Sequence, residues 1–280
     1  MSNNQLAPRK NLQILFLVSA FVLLTALLAA YLPPAVDFHG AFRPAALEIL
    51  HGRSPYNAEG FFNPPWTAIL LIPFAILPEN VGRAVMVIAA LAVYAYVAHK
   101  LGASKLTIGL LLLSPPALHG ILNGTLDWLT VLGVVLPPWL GLFFLAIKPQ
   151  VGMIVVLYLF AAEWQKGGIL RVLRTFLPVG VASVLSVVIF GPWFLAIPSL
   201  DEIAINASLL PLALPIGLAL TVAAVRKNDI RYSMMASPML SPYLLLHSWI
   251  GAFLALAPKP WEAAAAVIGM WIVVLLQYFA

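Results

Sequence analysis

The sequence predicts an all-α, polytopic membrane protein, and features of its composition and patterning predict it. Of the 280 residues, 62% are hydrophobic and 9% are charged, whereas about 25% of the residues of an ordinary soluble domain are charged. The apolar residues form blocks of about 15 to 25, the length that crosses a bilayer as a helix, and charges lie at the edges of the blocks. There is no cysteine. This composition excludes a water-soluble globular protein, a disulfide framework and a thiol mechanism.

Positive charges predict how the chain is oriented. The net charge is +5, but Lys and Arg stand singly or in pairs between apolar blocks, a pattern typical of topology signals rather than of nucleic-acid binding. Because Lys and Arg are enriched on the cytoplasmic side, Arg9 and Lys10 predict a cytoplasmic N-terminus. Residues 11–32 then form the first span. Pro33-Pro34 stands where a signal peptide would have small residues, so we expect this span to be retained.

The region after the first span, residues 33–80, is predicted to be an outer loop within one integral membrane domain, residues 1–280. Residues 41–50 have the pattern of a helix in the membrane interface. The apolar side chains on its common face are Phe42, Ala46, Ile49 and Leu50. Residues 65–77 are apolar but cover about 20 Å as a helix, short of a ~30 Å hydrocarbon core. We therefore expect membrane-surface helices in this loop.

The whole chain is predicted to contain about nine to eleven membrane segments. In chain order, they cover residues 11–32, 83–98, 106–121, 128–136, 139–147, 151–162, 175–197, 209–225, 232–240, 244–257 and 261–279. Residues 128–136 and 139–147 form either a hairpin or one bent span, and the two alternatives reverse the side of everything that follows. The hairpin puts eleven of the fifteen Lys and Arg residues inside, which favours it. The four outside are Arg43, Arg53, Arg83 and Lys148.

Charged groups beside apolar blocks are costly, so each one indicates a solvated position or a function. Asp37 follows the first span among aromatic and proline residues, where a carboxylate of raised pKa could act as general base toward a hydroxyl. Asp is also a favoured helix N-cap, and Asp37 precedes the helix predicted at residues 41–50. Both alternatives are open. His39 and Arg43 are candidates for the same pocket.

Two further stretches offer cations near the outer face. Arg53 and Tyr56 lie in a Gly- and Pro-containing stretch, followed by Asn63; it suits an anionic headgroup or, equally, an interface loop anchored by aromatic side chains. Lys148 and Gln150 lie where two short apolar pieces meet, and broken helices near a membrane face favour a binding site. The alternative is a lysine whose ammonium group extends to the membrane surface.

The remaining polar candidates lie in a turn and in a late apolar segment. Asn123 and Asp127 belong to a turn predicted on the outer side, and Tyr243 follows a Ser-Pro pair. His247 is either a donor to a phosphate or a packing residue. The sequence has no Gly-rich phosphate loop and no Asp-x-Asp motif, which argues against a nucleotide donor held at a metal site. No metal and no cofactor are expected.

Taken in chain order, these stretches resemble glycosyltransferase family 87, the polyprenol-phosphate-mannose-dependent mannosyltransferases of the GT-C membrane superfamily. The family pattern has an acidic residue after the first span, a Gly-x-x-Pro-Tyr element, a Tyr-x-Pro-like element, an Asn-Gly turn, a Lys-Pro element and a late Ser-Pro with a downstream His. These are matched, in order, by Asp37 and by residues 52–56, 62–65, 123–124, 148–149 and 241–247. The resemblance covers roughly residues 10–255.

The resemblance implies a GT-C fold in a bacterial inner or cell membrane, with Asp37 as catalytic base on the outer face. It implies a polyprenyl-phosphate donor of mannose or another hexose or pentose, and a lipid or glycan acceptor. Direct displacement with one base inverts the anomeric centre, and Lys148, Arg53 and His247 are then candidates for the donor phosphate. Two other classes stay open: a transporter of a lipid-linked sugar, and a non-catalytic accessory subunit of a membrane complex. A transporter is expected to show paired half-repeats, which we do not find.

Overall fold

The computed structural model describes residues 6–196 and 206–279, with side chains described from residue 11 to 195 and from 206 to 279. Within these ranges the chain consists of helices and loops without β-strands. The all-α prediction is confirmed for this part of the chain. Its α-helices are, in chain order, α1 (Leu6–Tyr31), α2 (Arg43–Leu50), α3 (Pro65–Ala75), α4 (Glu79–Lys100), α5 (Lys105–Leu112), α6 (Pro115–Asn123), α7 (Asp127–Leu132), α8 (Pro138–Leu145), α9 (Pro149–Phe190), α10 (Leu214–Lys227), α11 (Ile230–Met239), α12 (Ile250–Ala255) and α13 (Pro260–Phe279).

Among the described residues, four helices are long and apolar enough to cross a membrane: α1, α4, α9 and α13. Helices α5 and α6, bent by 54° relative to each other, would make a fifth span if counted together. The first predicted span matches α1, whose apolar part is Asn11–Tyr31. Most of the other helices are too short to span a bilayer alone. The chain is thus consistent with a helical membrane protein, and the nine to eleven segments stay a prediction.

The span predicted over residues 106–121 consists of two helices, α5 and α6, with a bend between them. The chain breaks at Ser114, whose backbone is extended, with φ −68° and ψ 146°. The cause is local, because proline disfavours helical backbone at the residue before it and Pro115 follows Ser114. The break produces the short helix α6, which ends next to the site described below.

Helices α7 and α8 fold back on each other as a hairpin. A Cβ atom added to Gly133 would lie 2.6 Å from the carbonyl oxygen of Gly141, so the two backbones touch where these glycines meet. Glycine is required for such an approach because it has no side chain. Of the two alternatives for residues 128–147, the structure has the hairpin.

Helix α9 is interrupted at Gly167 and Gly168. Gly168 has φ 62° and ψ −155°, outside helical geometry, in a region essentially restricted to glycine. The interruption lies between the segments predicted at residues 151–162 and 175–197, so the two segments correspond to the two halves of α9. The last predicted residue, Ile197, lies outside the described residues.

Residues 33–80, the loop predicted to lie on the outer side, contain helices near the positions predicted for them. A π-helical turn, Phe38–Phe42, runs directly into α2, and α3 is 11 residues long. Of the four residues predicted on one apolar face, Phe42 and Ala46 are buried inside the protein, whereas Leu50 is 46% exposed. Leu50 is the last residue of α2, where the chain turns away from the core; Ala45 is buried in its place.

Candidate functional site

The centre of the candidate site is Asp127, which has no exposed side-chain surface. Its Oδ2 atom accepts two hydrogen bonds, from Thr125 Oγ1 at 2.6 Å and Lys148 Nζ at 2.8 Å, and lies 2.8 Å from His247 Nδ1. Asp127 is the first residue of α7, and Lys148 immediately precedes α9. His247 lies in the 3₁₀ turn Leu246–Trp249. Three chain turns, far apart in sequence, therefore meet at one carboxylate.

The buried carboxylate of Asp127 is stabilised in its charged form by the neighbouring cations. Burial by itself would raise the pKa of Asp127, but the positive charges of His247 and Lys148 outweigh it and hold the pKa well below its usual value. The Lys148 side chain is 9% exposed, so its ammonium group does not extend to a solvated surface. The alternative of a surface-seeking lysine is wrong, because the ammonium group is paired with a buried carboxylate.

Two buried polar atoms of the cluster lack a hydrogen-bond partner within the described part of the chain: Asp127 Oδ1 and His119 Nδ1. The His119 ring is stacked on His247, with centroids 5.5 Å apart and planes at 16°. Buried polar atoms are nearly always bonded to protein, water or ligand. A ligand or a water molecule in the cluster could therefore form hydrogen bonds with these two atoms.

Asp37 lies beside this cluster. The turn at Gly124 has φ +70°, and a Cβ atom there would be 2.8 Å from Phe38 Cβ and 3.0 Å from Ala35 Cβ, so the turn before Asp127 packs directly on the Asp37 segment. Burial raises the pKa of Asp37, and the charges of Lys148 and His247 oppose that increase. The four ionisable groups share one electrostatic environment.

The alternative role of Asp37 as a helix cap is wrong. Its backbone is already helical, with φ −74° and ψ −41°, and its side chain makes no capping hydrogen bond. An N-cap residue instead has extended backbone, with its side chain bonded to the first backbone amides of the helix. The carboxylate makes no ion pair or hydrogen bond within the described residues, so it is free to accept a proton.

The ends of three candidate spans lie at this face. Helix α1 ends six residues before Asp37, and α9 begins right after Lys148. Helix α4 begins at Glu79, whose carboxylate contacts His39 Nδ1 at 2.7 Å and Arg43 at 3.6 Å. His39 and Arg43 thus hold the Asp37 segment on α4 and are not in the Asp127 cluster. Their acidic partner was not anticipated from the sequence.

The loop that contains Tyr56 and Asn63 is hydrogen-bonded to the turn that precedes Lys148. Asn63 Nδ2 donates to the carbonyl of Ile147 at 2.8 Å, and Tyr56 Oη donates to the carbonyl of Asn63 at 2.9 Å. Trp66 Nε1 donates to the Phe143 carbonyl at 2.9 Å. Asn63 and Tyr56 therefore position the residue before Lys148.

Arg53 is not part of the cluster. Its guanidinium makes two hydrogen bonds of 2.6 Å to the carboxylate of Glu48, on the exposed side of the loop. This pairing lowers the pKa of Glu48 to about 2, chiefly through the hydrogen bonds from Arg53. Arg53 is paired with Glu48 and lies apart from the groups around Lys148, and its role as a ligand of the donor phosphate stays a prediction.

The last three predicted residues differ in position. Burial raises the pKa of Tyr243, and the negative charges of Asp37 and Asp127 raise it further. Asn123 donates to the carbonyl of His119 within α6 and has a structural contact. Gln150 lies in the first turn of α9, half-buried, without a side-chain hydrogen bond within the described residues.

Sequence reasoning missed Thr125 and His119 as members of the cluster. Thr125 is two residues from Asp127, and that proximity is a usable signal. His119 has no local signal, since its contact with His247 joins residues far apart in the chain. No family model, curated protein or solved structure matches the chain, so the family resemblance of its motifs stays a hypothesis.

Proposed function

We propose that the chain is a membrane glycosyltransferase that transfers a sugar from a polyprenyl-phosphate sugar to a hydroxyl of a lipid or glycan acceptor. The proposed reaction takes place at the outer face of the membrane that the chain spans. The observation that carries the proposal is the free carboxylate of Asp37 beside the buried cluster of Asp127, Lys148 and His247. Asp37 is half-buried and the cations of the cluster are buried, and transfer from a phosphate leaving group requires a base and cations that are shielded from water.

In the proposed reaction, Asp37 accepts the proton of the acceptor hydroxyl as its oxygen attacks the anomeric carbon. The bond between that carbon and the donor phosphate oxygen breaks, the electron pair stays on that oxygen, and the phosphate leaves still attached to the polyprenyl chain. The products are the glycosylated acceptor and a polyprenyl phosphate, and the anomeric centre is inverted by the single displacement. The raised pKa of Asp37 suits it to accept a proton.

The cations for the leaving phosphate are Lys148 and His247. Asp127 balances Lys148, so the cluster has no net charge with His247 neutral and a charge of +1 with His247 protonated. A sugar phosphodiester carries one negative charge and the polyprenyl phosphate product carries more, so protonated His247 complements the charge that develops on the leaving group. Asp127 is a positioning residue here, since it orients both cations.

The first experiment removes the base. Asp37→Asn, purified in nanodiscs and assayed with a radiolabelled polyprenyl-phosphate sugar, is expected to lose about 10²- to 10⁴-fold in transfer rate. Its thermal unfolding should match the wild type, because Asp37 makes no hydrogen bond within the described residues. Glu59→Gln is the matched control: an exposed carboxylate of the same loop, expected to leave transfer unchanged. Full transfer by Asp37→Asn would refute the assignment.

The second experiment tests the phosphate site by ligand-induced stabilisation, since a ligand that binds the folded form alone raises the unfolding temperature. A polyprenyl-phosphate sugar should stabilise the wild type and Lys148→Arg, and stabilise Lys148→Gln little, each compared with its own ligand-free protein. Lys105→Gln replaces an exposed lysine and is the control. A nucleotide sugar should have no effect.

The outcomes of the second experiment separate the rival functions. Equal stabilisation of all four proteins would show that Lys148 does not bind the donor phosphate. No response of well-folded wild type to any lipid-linked sugar would refute the transferase proposal and favour the accessory-subunit alternative. Stabilisation of the wild type without transfer to any acceptor would favour a transporter.

A further inference from the structure

A second charged site lies at the interruption of α9. The groove there has a volume of about 450 Å³. Its principal lining residues are Trp139, Glu163, Lys166, Leu170, Arg171 and Arg174. Lys148 and Lys166 are 18 positions apart along the first half of α9, or about 27 Å at the helical rise. The groove is therefore remote from the Asp37 site and has no part in the proposed transfer.

A buried carboxylate organises the cations of this groove. The Glu163 side chain is 3% exposed, and its two oxygens accept from Lys166 Nζ at 2.9 Å and Arg171 Nε at 2.6 Å. Because Arg171 uses its Nε atom for Glu163, its terminal nitrogens stay free of protein hydrogen bonds within the described residues. Arg174 likewise has no hydrogen bond or ion pair there. Three cations and one carboxylate leave the groove with a charge of +2.

The surroundings of the groove are those of a membrane surface. The half of α9 that follows the interruption, residues 169–190, is about 33 Å long as a helix, close to the thickness of a hydrocarbon core. Its outward face is apolar and exposed at Leu170, Leu173 and Leu177. Trp139 is half-exposed at the groove, and tryptophan is enriched where hydrocarbon meets the headgroups.

We propose that this groove binds the phosphate of an anionic phospholipid, with the headgroup on Arg171 and Arg174 and an acyl chain along the exposed leucines of α9. The ligand chemistry follows from the charge: the terminal nitrogens of Arg171 and the guanidinium group of Arg174 can donate to phosphate oxygens. The lipid source follows from the apolar face that continues from the groove. A free inorganic phosphate would use the same cations but not that face.

The test measures lipid binding by the full chain released from detergent, using native mass spectrometry. The probes are dioleoyl phosphatidylglycerol, dioleoyl phosphatidylcholine and inorganic phosphate. We expect the wild type to retain phosphatidylglycerol in preference to phosphatidylcholine, and Arg174→Gln to bind it about fivefold more weakly, the effect of one surface cation. Arg174→Lys should recover much of the affinity. Arg174 is exposed, so these variants should fold.

Arg226→Gln is the matched control, since Arg226 is an exposed cation in the last turn of α10 and outside the groove. It should bind phosphatidylglycerol as the wild type does. Equal weakening by Arg226→Gln and Arg174→Gln would overturn the proposal, because the response would then reflect total charge. Equal retention of phosphatidylcholine would also overturn it, and displacement of phosphatidylglycerol by millimolar inorganic phosphate would overturn the lipid as the source.

Discussion

The buried pair of Asp127 and Lys148 makes a quantitative prediction about stability. Asp127→Asn keeps the shape of the side chain but leaves the Lys148 ammonium group, 9% exposed, without a counter-ion. Removing one partner of a buried ion pair costs about 3–5 kcal/mol, chiefly because the remaining charge is uncompensated. Lys148→Gln should fall at the lower end of this range, because Asp127 keeps its hydrogen bond from Thr125 and its contact with His247.

The double variant Asp127→Asn with Lys148→Gln separates pairing from packing. With both charges removed, no buried ion is left unpaired, so the loss should be smaller than the sum of the two single losses by roughly 1 to 3 kcal/mol. The free energy of unfolding would be measured by denaturant titration in detergent, with helix content as the signal. Single losses that add within roughly 0.5 kcal/mol would refute the pairing.

The control is the ion pair of Glu48 and Arg53, which has shorter hydrogen bonds, both 2.6 Å, but lies on the exposed side of the outer loop. Glu48→Gln should barely change the unfolding free energy, because solvent screens an exposed pair. A large loss in this variant would show that distance rather than burial decides the effect.

Three further predictions concern the pH dependence of transfer, the turn at Gly124 and the topology of the chain. If Asp37 is the base, as proposed, the transfer rate should fall as pH is lowered and Asp37 becomes protonated. The midpoint of that fall should lie above 3.8, the usual pKa of an Asp carboxyl, because burial raises the pKa of Asp37; a rate that does not change as pH falls toward 3.8 would contradict a base role. Gly124→Ala should destabilise by about 1 kcal/mol or more, because φ is +70° and Phe38 is in the way, whereas Gly40→Ala meets nothing within 4 Å and should not. Single cysteines at Glu79 and Arg174, treated with an impermeant thiol reagent, should label from opposite sides of the membrane.

The polar members of the site could be found from the sequence, but their pairing could not. Asp37, Asp127, Lys148 and His247 each stand out because charges and imidazoles are costly among apolar residues. Which of them touch depends on how the short helices fold together, and Lys148 and His247 are 99 positions apart. The sequence pattern favoured capping by Asp37 as readily as catalysis, because the start of the helix cannot be located to within two residues from pattern alone.

The fold was predictable where local chemistry acts and less so elsewhere. The long apolar helices follow from composition, and the interruption of α9 follows from two adjacent glycines. The bend at Ser114 was missed although Pro115 and Pro116 announce it, because the apolar pattern runs through them unchanged. The number of membrane crossings depends on how short helices stack across the bilayer, which is a tertiary property.

The Lys148 ammonium group carries its own anion. Because the charges of Lys148 and Asp127 cancel, the pair can persist in a region of low dielectric constant without binding ions from the aqueous phase. In the proposed reaction, the phosphodiester of the donor would share the Lys148 ammonium group with Asp127, which would weaken the purely electrostatic part of its binding. Discrimination between ligands would then depend on the isoprenoid chain and the sugar. When the more highly charged product leaves, Asp127 would again neutralise the charge of Lys148.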